Sequence, residues 1–184
     1  MRNTCLVLLI LLTVFTANAQ TTNDSISNVY QKQNEIKLNG IMLLVGAFEV
    51  SYERNLSEDT SVGLSFFTPY DAENIDADLN YYISPYFRVF FGEKYAAGFF
   101  VEGFGMLNSI DRRTTDTIND FFETTEEAVT DFALGFGVGG KWVTKNGFVA
   151  EIFGGIGRNL FNSDEDYYST DVAGRVGISV GYRF

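Results

Sequence analysis

Histidine is absent from this chain of 184 residues, and cysteine occurs once, as Cys5. Because Cys5 lies in an N-terminal segment that we expect to be removed on export, the mature chain can form no disulfide. A Ser-His-Asp triad, a Cys-His dyad and the usual zinc sites all need residues that the mature chain lacks. Carboxylate chemistry is open in principle, but nothing in the sequence holds two acidic residues at the separation that it needs. We therefore predict a protein that is not an enzyme, with no catalytic residues, no cofactor and no metal centre.

A long apolar run is also missing outside the N terminus. Residues 6–15 are almost wholly apolar, follow Arg2 and precede Ala17-Asn18-Ala19, which is the pattern of a secretory signal peptide cleaved before Gln20. This run is too short to span a bilayer as a helix, and no run of about 18 apolar residues follows it. If the mature chain spans a membrane, it must therefore do so as a closed β-barrel. The expected organisation is a signal peptide over 1–19, a flexible periplasmic leader (or a small internal plug) over 20–34, and one domain over 35–184.

Alternation of apolar and polar residues dominates the rest of the sequence. From Val172 to Phe184 the even positions are mostly apolar, whereas the odd positions hold Arg175, Arg183 and small residues. This two-residue period predicts a β-strand with different environments on its two faces. The eight predicted strands cover residues 35–45, 47–56, 61–68, 77–91, 95–107, 131–143, 148–159 and 171–184. The predicted fold class is all-β, an eight-stranded antiparallel up-and-down transmembrane β-barrel.

The connections between these segments alternate in length. They are short at 57–60, 92–94 and 144–147 and longer at 68–76, 108–130 and 160–170, which is the topology of an outer-membrane barrel with its short turns in the periplasm. The connection after the first segment, near Gly46, is predicted to be a tight turn. The central connection, 108–130, is too long for an ordinary loop in a compact domain. We predict that it carries a short helix or folds over the barrel mouth.

The polar face of the strands is rich in glycine and serine and carries charges of both signs, which suits a narrow lumen. The nine charged residues predicted to point inward are Lys37, Glu49, Glu53, Arg88, Glu102, Lys141, Glu151, Arg175 and Arg183. Because an unpaired buried charge is costly, we expect ion pairs: Lys141 directly opposite Glu151, and Lys37 diagonal to Glu53. Eight strands enclose a space just wide enough to be filled by side chains. The prediction is a closed lumen; a gated pore or proton path through the carboxylates is the alternative.

The apolar face is continuous over about nine to eleven residues in each strand, which matches a tilted span of the hydrocarbon layer. Aromatic residues cluster at the strand ends, as in the girdles of membrane barrels. The girdle predicted near the periplasmic turns consists of Phe91, Tyr95, Trp142 and Phe148, beside Tyr182 and Phe184. A soluble periplasmic ligand-binding barrel, with its apolar face inward, shows the same alternation and stays open as an alternative.

Acidic residues outnumber basic residues by 24 to 13. Fifteen of the 24 acidic residues fall within 71–78, 111–131 and 164–171, so the charge is concentrated at the end opposite the short turns. Binding of nucleic acid is disfavoured by the sign of this charge. Carboxylates suit Ca²⁺ or Mg²⁺, so a divalent cation at these acidic loops is one hypothesis. No segment has the spacing of an EF-hand, and a solvated surface that repels anionic neighbours is the alternative.

The pattern over 35–184 resembles the small eight-stranded outer-membrane barrels of the OmpA/OmpX type. The stretch from Glu35-Ile-Lys-Leu-Asn to Glu49-Val-Ser-Tyr-Glu-Arg-Asn-Leu is similar to the opening hairpin of an uncharacterised barrel family, a domain of unknown function, that is common in Bacteroidetes. The last strand, with Val180, Tyr182 and Phe184 on one face, resembles the C-terminal targeting strand of such barrels.

This resemblance implies a location in the outer membrane of a Gram-negative bacterium, in contact with outer-membrane lipid. It also implies a monomer that the barrel-assembly machinery inserts through the C-terminal strand. The implied role is structural or adhesive, through acidic extracellular loops. A small-solute or proton channel is the alternative, because likeness of fold does not carry function.

Overall fold

Eight β-strands close into a barrel in the computed structural model. The structure describes residues 32–71, 79–118, 121–161 and 172–184, and from 111 to 127 it describes the backbone alone. The predicted signal peptide, most of the predicted leader, and the acidic segments 72–78 and 162–171 lie outside the described residues. The strands are β1 (Asn34–Asn39), β2 (Ala47–Asn55), β3 (Thr60–Pro69), β4 (Leu79–Phe91), β5 (Gly98–Ile118), β6 (Phe121–Val143), β7 (Phe148–Asn159) and β8 (Val172–Arg183). No helix in this part of the chain has the length and apolarity needed to cross a membrane.

The barrel closes between its first and last strands. β1 runs antiparallel to β8, with Lys37 opposite Gly181 and Leu38 opposite Val180. At the end of this pair, the amide of Phe184 donates to the carbonyl oxygen of Asn34 at 2.8 Å. Every other strand pairs antiparallel with its neighbours in the sequence. The predicted class, all-β with eight antiparallel up-and-down strands, is confirmed, and the closure leaves the barrel wall without a free edge.

The first predicted strand is too long, and the tight turn predicted near Gly46 is wrong. Residues Gly40–Val45 form a short helix, α1, after β1 has ended at Asn39. The side chain of Asn39 caps this helix by accepting from the amides of Ile41 and Met42, and Gly46 ends it at φ 109°. A short apolar run fits a strand or a helix equally well by its period. The asparagine before it and the glycine after it are the signals that favour the helix.

The predicted long loop over 108–130 is also wrong, because β5 and β6 continue through it as one antiparallel hairpin. Backbone pairing runs without interruption from Gly98 opposite Lys141 to Ile118 opposite Phe121. The pairing of β4 with β5 reaches only Ile110, and that of β6 with β7 begins at Ala133. Among the described residues, the ladder beyond Ile110 therefore joins β5 and β6 alone. At about 3.4 Å per residue, this two-stranded ribbon extends roughly 25 Å past the barrel wall.

The remaining strands begin and end within two residues of the predicted bounds, except at the start of β5. That strand begins at Gly98 rather than at residue 95, because residues 92–97 form a turn. Ala96 and Ala97 of this turn are buried, and the Ala96 amide donates to the carbonyl oxygen of Glu58 in the neighbouring turn. The short turns and both ends of the described barrel lie together, and we call this the turn end. The opposite end, with α1 and the ribbon, is the loop end.

The two faces of the wall differ sharply in polarity. Large apolar side chains on all eight strands point outward and stay exposed, whereas charged and polar side chains point inward and are buried. Among the described residues, three small apolar clusters share the interior with them, the largest of which includes Phe67, Tyr82 and Phe104. Met42 of α1 packs against this largest cluster and covers it at the loop end.

Candidate functional site

The most unusual feature of the described part of the barrel is a set of ten charged side chains inside it, each at most 4% exposed. Five are acidic and five are basic: Glu35, Glu49, Glu53, Glu102 and Glu151, with Lys37, Arg88, Lys141, Arg175 and Arg183. We call them the lumen network. All nine residues that the alternation directed inward belong to it, and Glu35 is the member that the sequence reasoning missed. Glu35 shares a strand face with Lys37. The nine predicted residues comprise five basic and four acidic side chains, so a lumen with equal numbers of both needs one more acid, and this is the signal that points to Glu35.

Glu53 lies at the centre of this network. Its carboxylate accepts from Lys37 Nζ at 2.6 Å and from Arg88 Nη1 at 2.8 Å, and Lys141 Nζ donates to its second oxygen at 2.5 Å. The hydroxyls of Ser61 and Tyr86 donate to it as well, at 2.7 and 3.1 Å. Three cations and two hydroxyls thus satisfy one fully buried carboxylate, which is the condition under which a buried charge is tolerated.

Arg88 joins the centre to the loop-end half of the network. Its guanidinium donates to Glu53, Glu102 and Glu151, in each case at 2.8 Å. The guanidinium carbon also lies 4.2 Å from the ring centroid of Phe100 and 4.4 Å from that of Tyr86. Aromatic faces attract a cation and need no hydrogen bond in return. The planar group of Arg88 therefore has carboxylates at its edges and aromatic rings close by.

Arg175 continues the chain of contacts towards the loop end. Its Nη1 donates to Glu102 at 3.1 Å, and its Nη2 donates to Ser65 at 2.8 Å and lies 3.6 Å from Glu49. Glu49 in turn accepts from the side-chain amide of Asn39 at 2.6 Å. Asn39 therefore caps α1 with its oxygen and binds the network with its nitrogen, so this one residue couples the helix to the lumen.

Arg183 closes the network at the turn end. It donates to Glu35 from Nε at 2.7 Å, and Glu35 also accepts from Lys141 at 3.1 Å. The remaining guanidinium nitrogens donate to the carbonyl oxygens of Tyr95 and Ala96 at 2.9 and 2.8 Å. The β4–β5 turn is thereby held across the end of the barrel, which explains the complete burial of Ala96.

The two pairs that the sequence predicts have different outcomes. Lys37 lies diagonal to Glu53 across β1 and β2 and donates to it, as predicted. Lys141 stands directly opposite Glu151 in the register of β6 and β7, as predicted, but it donates to Glu35 and Glu53 across the lumen. Glu151 binds Lys37 and Arg88 instead. In a narrow lumen, the ion-pair partners of a side chain therefore depend on which charged groups it can reach across the barrel as well as on the register of neighbouring strands.

Glycines on the inner face of β6 make room for the aromatic rings between the charges. A Cβ atom placed on Gly139 would lie 2.4 Å from Cζ of Phe100, and one placed on Gly135 would lie 2.4 Å from Cζ of Phe104. Both rings are buried, at 0 and 3% exposure. The rings and the ion pairs are thus buried together in the interior of the barrel, which at eight strands is narrow enough for side chains to fill.

The predicted aromatic girdle is placed in two environments. Phe91, Trp142, Phe148, Tyr182 and Phe184 are exposed on the outer surface near the turn end. Tyr95 does not join them: it lies in the turn before β5 and packs against the inner cluster that contains Phe90 and Phe100. The reason is that Arg183 draws the carbonyl groups of this turn inward.

The acidic segments are described only in part. Asp131 is buried, and its Oδ1 accepts from the amide of Phe161 at 3.1 Å. Within the described ranges, no group of three or more Asp, Glu, Cys or His side chains is placed to hold a metal ion. Most of the acidic side chains that motivated the divalent-cation hypothesis lie outside the described residues, so that hypothesis stays a prediction.

No protein-family model matches this chain, and no curated protein matches it at a significant level. Solved structures match it in shape. The N-terminal β-barrel domain of Pseudomonas aeruginosa OprF aligns with a TM-score of 0.53 and 17% sequence identity, over 84% of this chain and 98% of that domain. Neisserial surface protein A aligns over 83% of this chain and 95% of its own, with a TM-score of 0.42 and 12% identity.

A third match is the Yersinia pestis outer membrane protein Ail in a phospholipid bilayer nanodisc. Its TM-score is 0.38 and its identity 17%, over 84% of this chain and 100% of that chain. At 17% sequence identity, the similarity to the OprF domain establishes a shared fold, the eight-stranded barrel. Because a shared fold does not carry function, the role of the lumen network has to be argued from its own geometry.

Proposed function

We propose that this chain is a non-enzymatic outer-membrane β-barrel protein with a sealed lumen, whose role is structural or adhesive and is carried by its loop end. The observation that supports this most directly is the inverted polarity of the wall. Phe136, Trp142 and Ile156 are 59–66% exposed, whereas Arg88 and Lys141 are 1% exposed. A barrel that works in water buries its apolar face instead. In a lipid bilayer these outward apolar side chains contact the hydrocarbon of the lipid tails, which is apolar as well.

The first test of this proposal is partition into membranes. We expect the chain from Gln20 onward, refolded in detergent and mixed with phosphatidylcholine vesicles, to float with the vesicles and to migrate faster on a gel when unheated than when boiled. A variant in which a short turn replaces residues 112–127 should do the same, because the described ladder of the ribbon joins only β5 and β6. Mature protein that stays monodisperse in buffer without detergent would overturn the membrane assignment and favour the soluble ligand-binding barrel.

The lumen network supports a closed barrel over a small-solute or proton channel. Its ion pairs connect side chains from opposite walls, such as Lys141 of β6 with Glu53 of β2 at 2.5 Å. A conducting path would have to break several such pairs at once, each of which is buried and hydrogen-bonded. We therefore expect no steady conductance when the folded barrel is inserted in a planar bilayer. Stable, stepwise currents above the bare bilayer would favour the channel.

The loop end supports an interaction role because the ribbon of β5 and β6 projects beyond the wall, where no barrel strand among the described residues pairs with it. Several finer predictions remain part of the proposal: the outward direction of this end, a monomeric state, and targeting by the strand face of Val180, Tyr182 and Phe184. The likeness of the opening hairpin to an uncharacterised Bacteroidetes family also stays a prediction.

A further inference from the structure

The ladder that closes the barrel covers only the turn-end part of β8. Among the described residues, β1 pairs with β8 at five positions, from Ser179 to Arg183, whereas β7 pairs with β8 at eleven. Residues 172–178 of β8 therefore have a strand on one side only, and we call them the seam edge. On the other side of β1, the first three residues of β2 also extend past its ladder with β1. The strands thus leave a notch in the wall between β2 and β8 at the loop end.

The helix α1 lies in this notch in place of a strand, which covers the edge. A Cβ atom on Gly40, its first residue, would lie 3.4 Å from the carbonyl oxygen of Ile178. The side-chain nitrogen of Asn39 donates to the carbonyl oxygen of Val176 at 3.0 Å. A helix of six residues is about 9 Å long, and the seam edge measures about 23 Å at roughly 3.3 Å per residue. Within the described ranges, the bond from Asn39 is the one hydrogen bond that ties α1 or its cap to the seam edge.

The opposite side of α1 is held more firmly, by the residues that follow β3. The hydroxyl of Tyr70 donates to the carbonyl oxygen of Leu43 at 2.6 Å. The amides of Tyr70 and Asp71 donate to the carbonyl oxygen of Gly46 at 2.9 and 3.0 Å. Gly46 ends the helix at φ 109°, a conformation that glycine adopts without strain. The helix therefore has a hinge side at β3 and a latch side, made by Asn39, at β8.

The interior behind α1 is apolar. Met42 packs against the cluster that includes Phe67, Phe104 and Ala173, and Leu44 is 87% exposed. The hydrocarbon of a bilayer is as apolar as these side chains, so in lipid the hydrophobic effect does not hold α1 in the notch. The Asn39 latch and the packing of Met42 are then what an outward movement of the helix has to overcome.

We propose that α1 is a side gate of the barrel, which swings about its β3 side and opens the loop-end apolar cluster to the hydrocarbon of the surrounding leaflet. The lumen network stays closed below it, because the network is joined to the gate only through the bond from Asn39 to Glu49 among the described residues. The gate thus admits apolar groups sideways without forming a path for ions. The inference rests on the proposed membrane location and adds a movement to it.

The test uses the chain from Gln20 onward in phosphatidylcholine vesicles that contain a small fraction of phosphatidylcholine with a diazirine midway along one acyl chain. Irradiation releases nitrogen from the diazirine, and the carbene that remains inserts into a C–H bond of a group that it contacts. We expect mass spectrometry of the digested protein to find label on Phe67 and Phe104. Phe100 is the matched control, because it is an equally buried phenylalanine in the cluster that Tyr95 covers at the turn end, and it should carry none. A water-soluble diazirine should label none of the three.

A variant of the latch makes the gate open more often. Asn39→Ser keeps an oxygen that can cap α1, but its side chain is too short to reach Val176 and Glu49. Labelling of Phe67 and Phe104 should rise about 10- to 30-fold, since two hydrogen bonds are lost and one typically changes an equilibrium constant by roughly fivefold. Ser84→Ala is the matched control. It removes a hydrogen bond to the carbonyl oxygen of Gly105 on the neighbouring strand, away from the notch, and should leave the labelling unchanged.

Three outcomes would contradict the proposal in different ways. Labelling of Phe67 and Phe104 no higher than that of Phe100 would overturn the gate, and the wild-type protein alone decides this if Asn39→Ser does not fold. Label from the water-soluble diazirine on the cluster would overturn the sideways route, because it would show entry through the loop end. Absence of lipid label on the outward ring of Phe136, which is 66% exposed, would overturn the membrane location itself.

Discussion

Replacing Glu53 with glutamine will destabilise the barrel by about 3–5 kcal/mol, which is typical of removing one partner from a buried ion pair. Glutamine keeps the shape of the side chain but removes the charge that Lys37, Arg88 and Lys141 share. The lumen network then holds five cations and four carboxylates, all of them buried. The expected result is a lower urea midpoint for the barrel folded in detergent, measured from the gel shift of unheated samples and from Trp142 fluorescence.

Glu58→Gln is the matched control for this prediction. Glu58 is the same residue type in the turn that follows β2, but its side chain is exposed, so its loss should change stability by less than about 0.5 kcal/mol. Restoring the balance of charge supplies a second check. Glu53→Gln combined with Lys141→Met should cost less than the sum of the two single variants, because the pair interacts directly. An unchanged urea midpoint in Glu53→Gln would contradict the central role of this carboxylate.

Gly139→Ala will destabilise the barrel by about 1–3 kcal/mol, the usual range for overpacking a filled interior. The new methyl group would lie 2.4 Å from Phe100 and 2.5 Å from the backbone oxygen of Ile152. A ring can rotate away, but the backbone oxygen belongs to the neighbouring strand, so the ladder itself must shift. Urea unfolding of the detergent-folded barrel measures this effect in the same way.

Gly154→Ala supplies the comparison for Gly139→Ala. Its Cβ position meets no atom within 4 Å, and alanine orders the unfolded chain more than glycine does. We therefore expect no loss of stability, and a gain of up to about 1 kcal/mol. If the two variants proved equally stable, the tight fit between lumen glycines and aromatic rings would be refuted. Adding Phe100→Leu to Gly139→Ala should recover the part of the loss that comes from the ring.

The fold could be predicted from local pattern because each face of a strand meets one environment along its whole length. The alternation in β8 separates Arg175 and Arg183 from Val176 and Ile178, and the structure buries the first two and exposes the others. The pattern failed where it was ambiguous or interrupted. The short apolar run of α1 fits a strand as well as a helix, and the alternation over 108–130 is too weak to predict the strands that the structure shows there.

What the sequence determined by itself is the number and direction of the strands and the inward direction of nine of the ten lumen charges, because the side of the wall follows from a period of two. Only the tertiary structure decided the ion-pair partners. Lys37 and Glu151 are 114 positions apart and come from strands that are not neighbours, so their contact depends on how far the closed sheet is staggered and how narrow the lumen becomes. The same closure packs the partly buried Tyr95 against the inner cluster at the turn end, because it brings Arg183 of the last strand to the carbonyl oxygen of this residue.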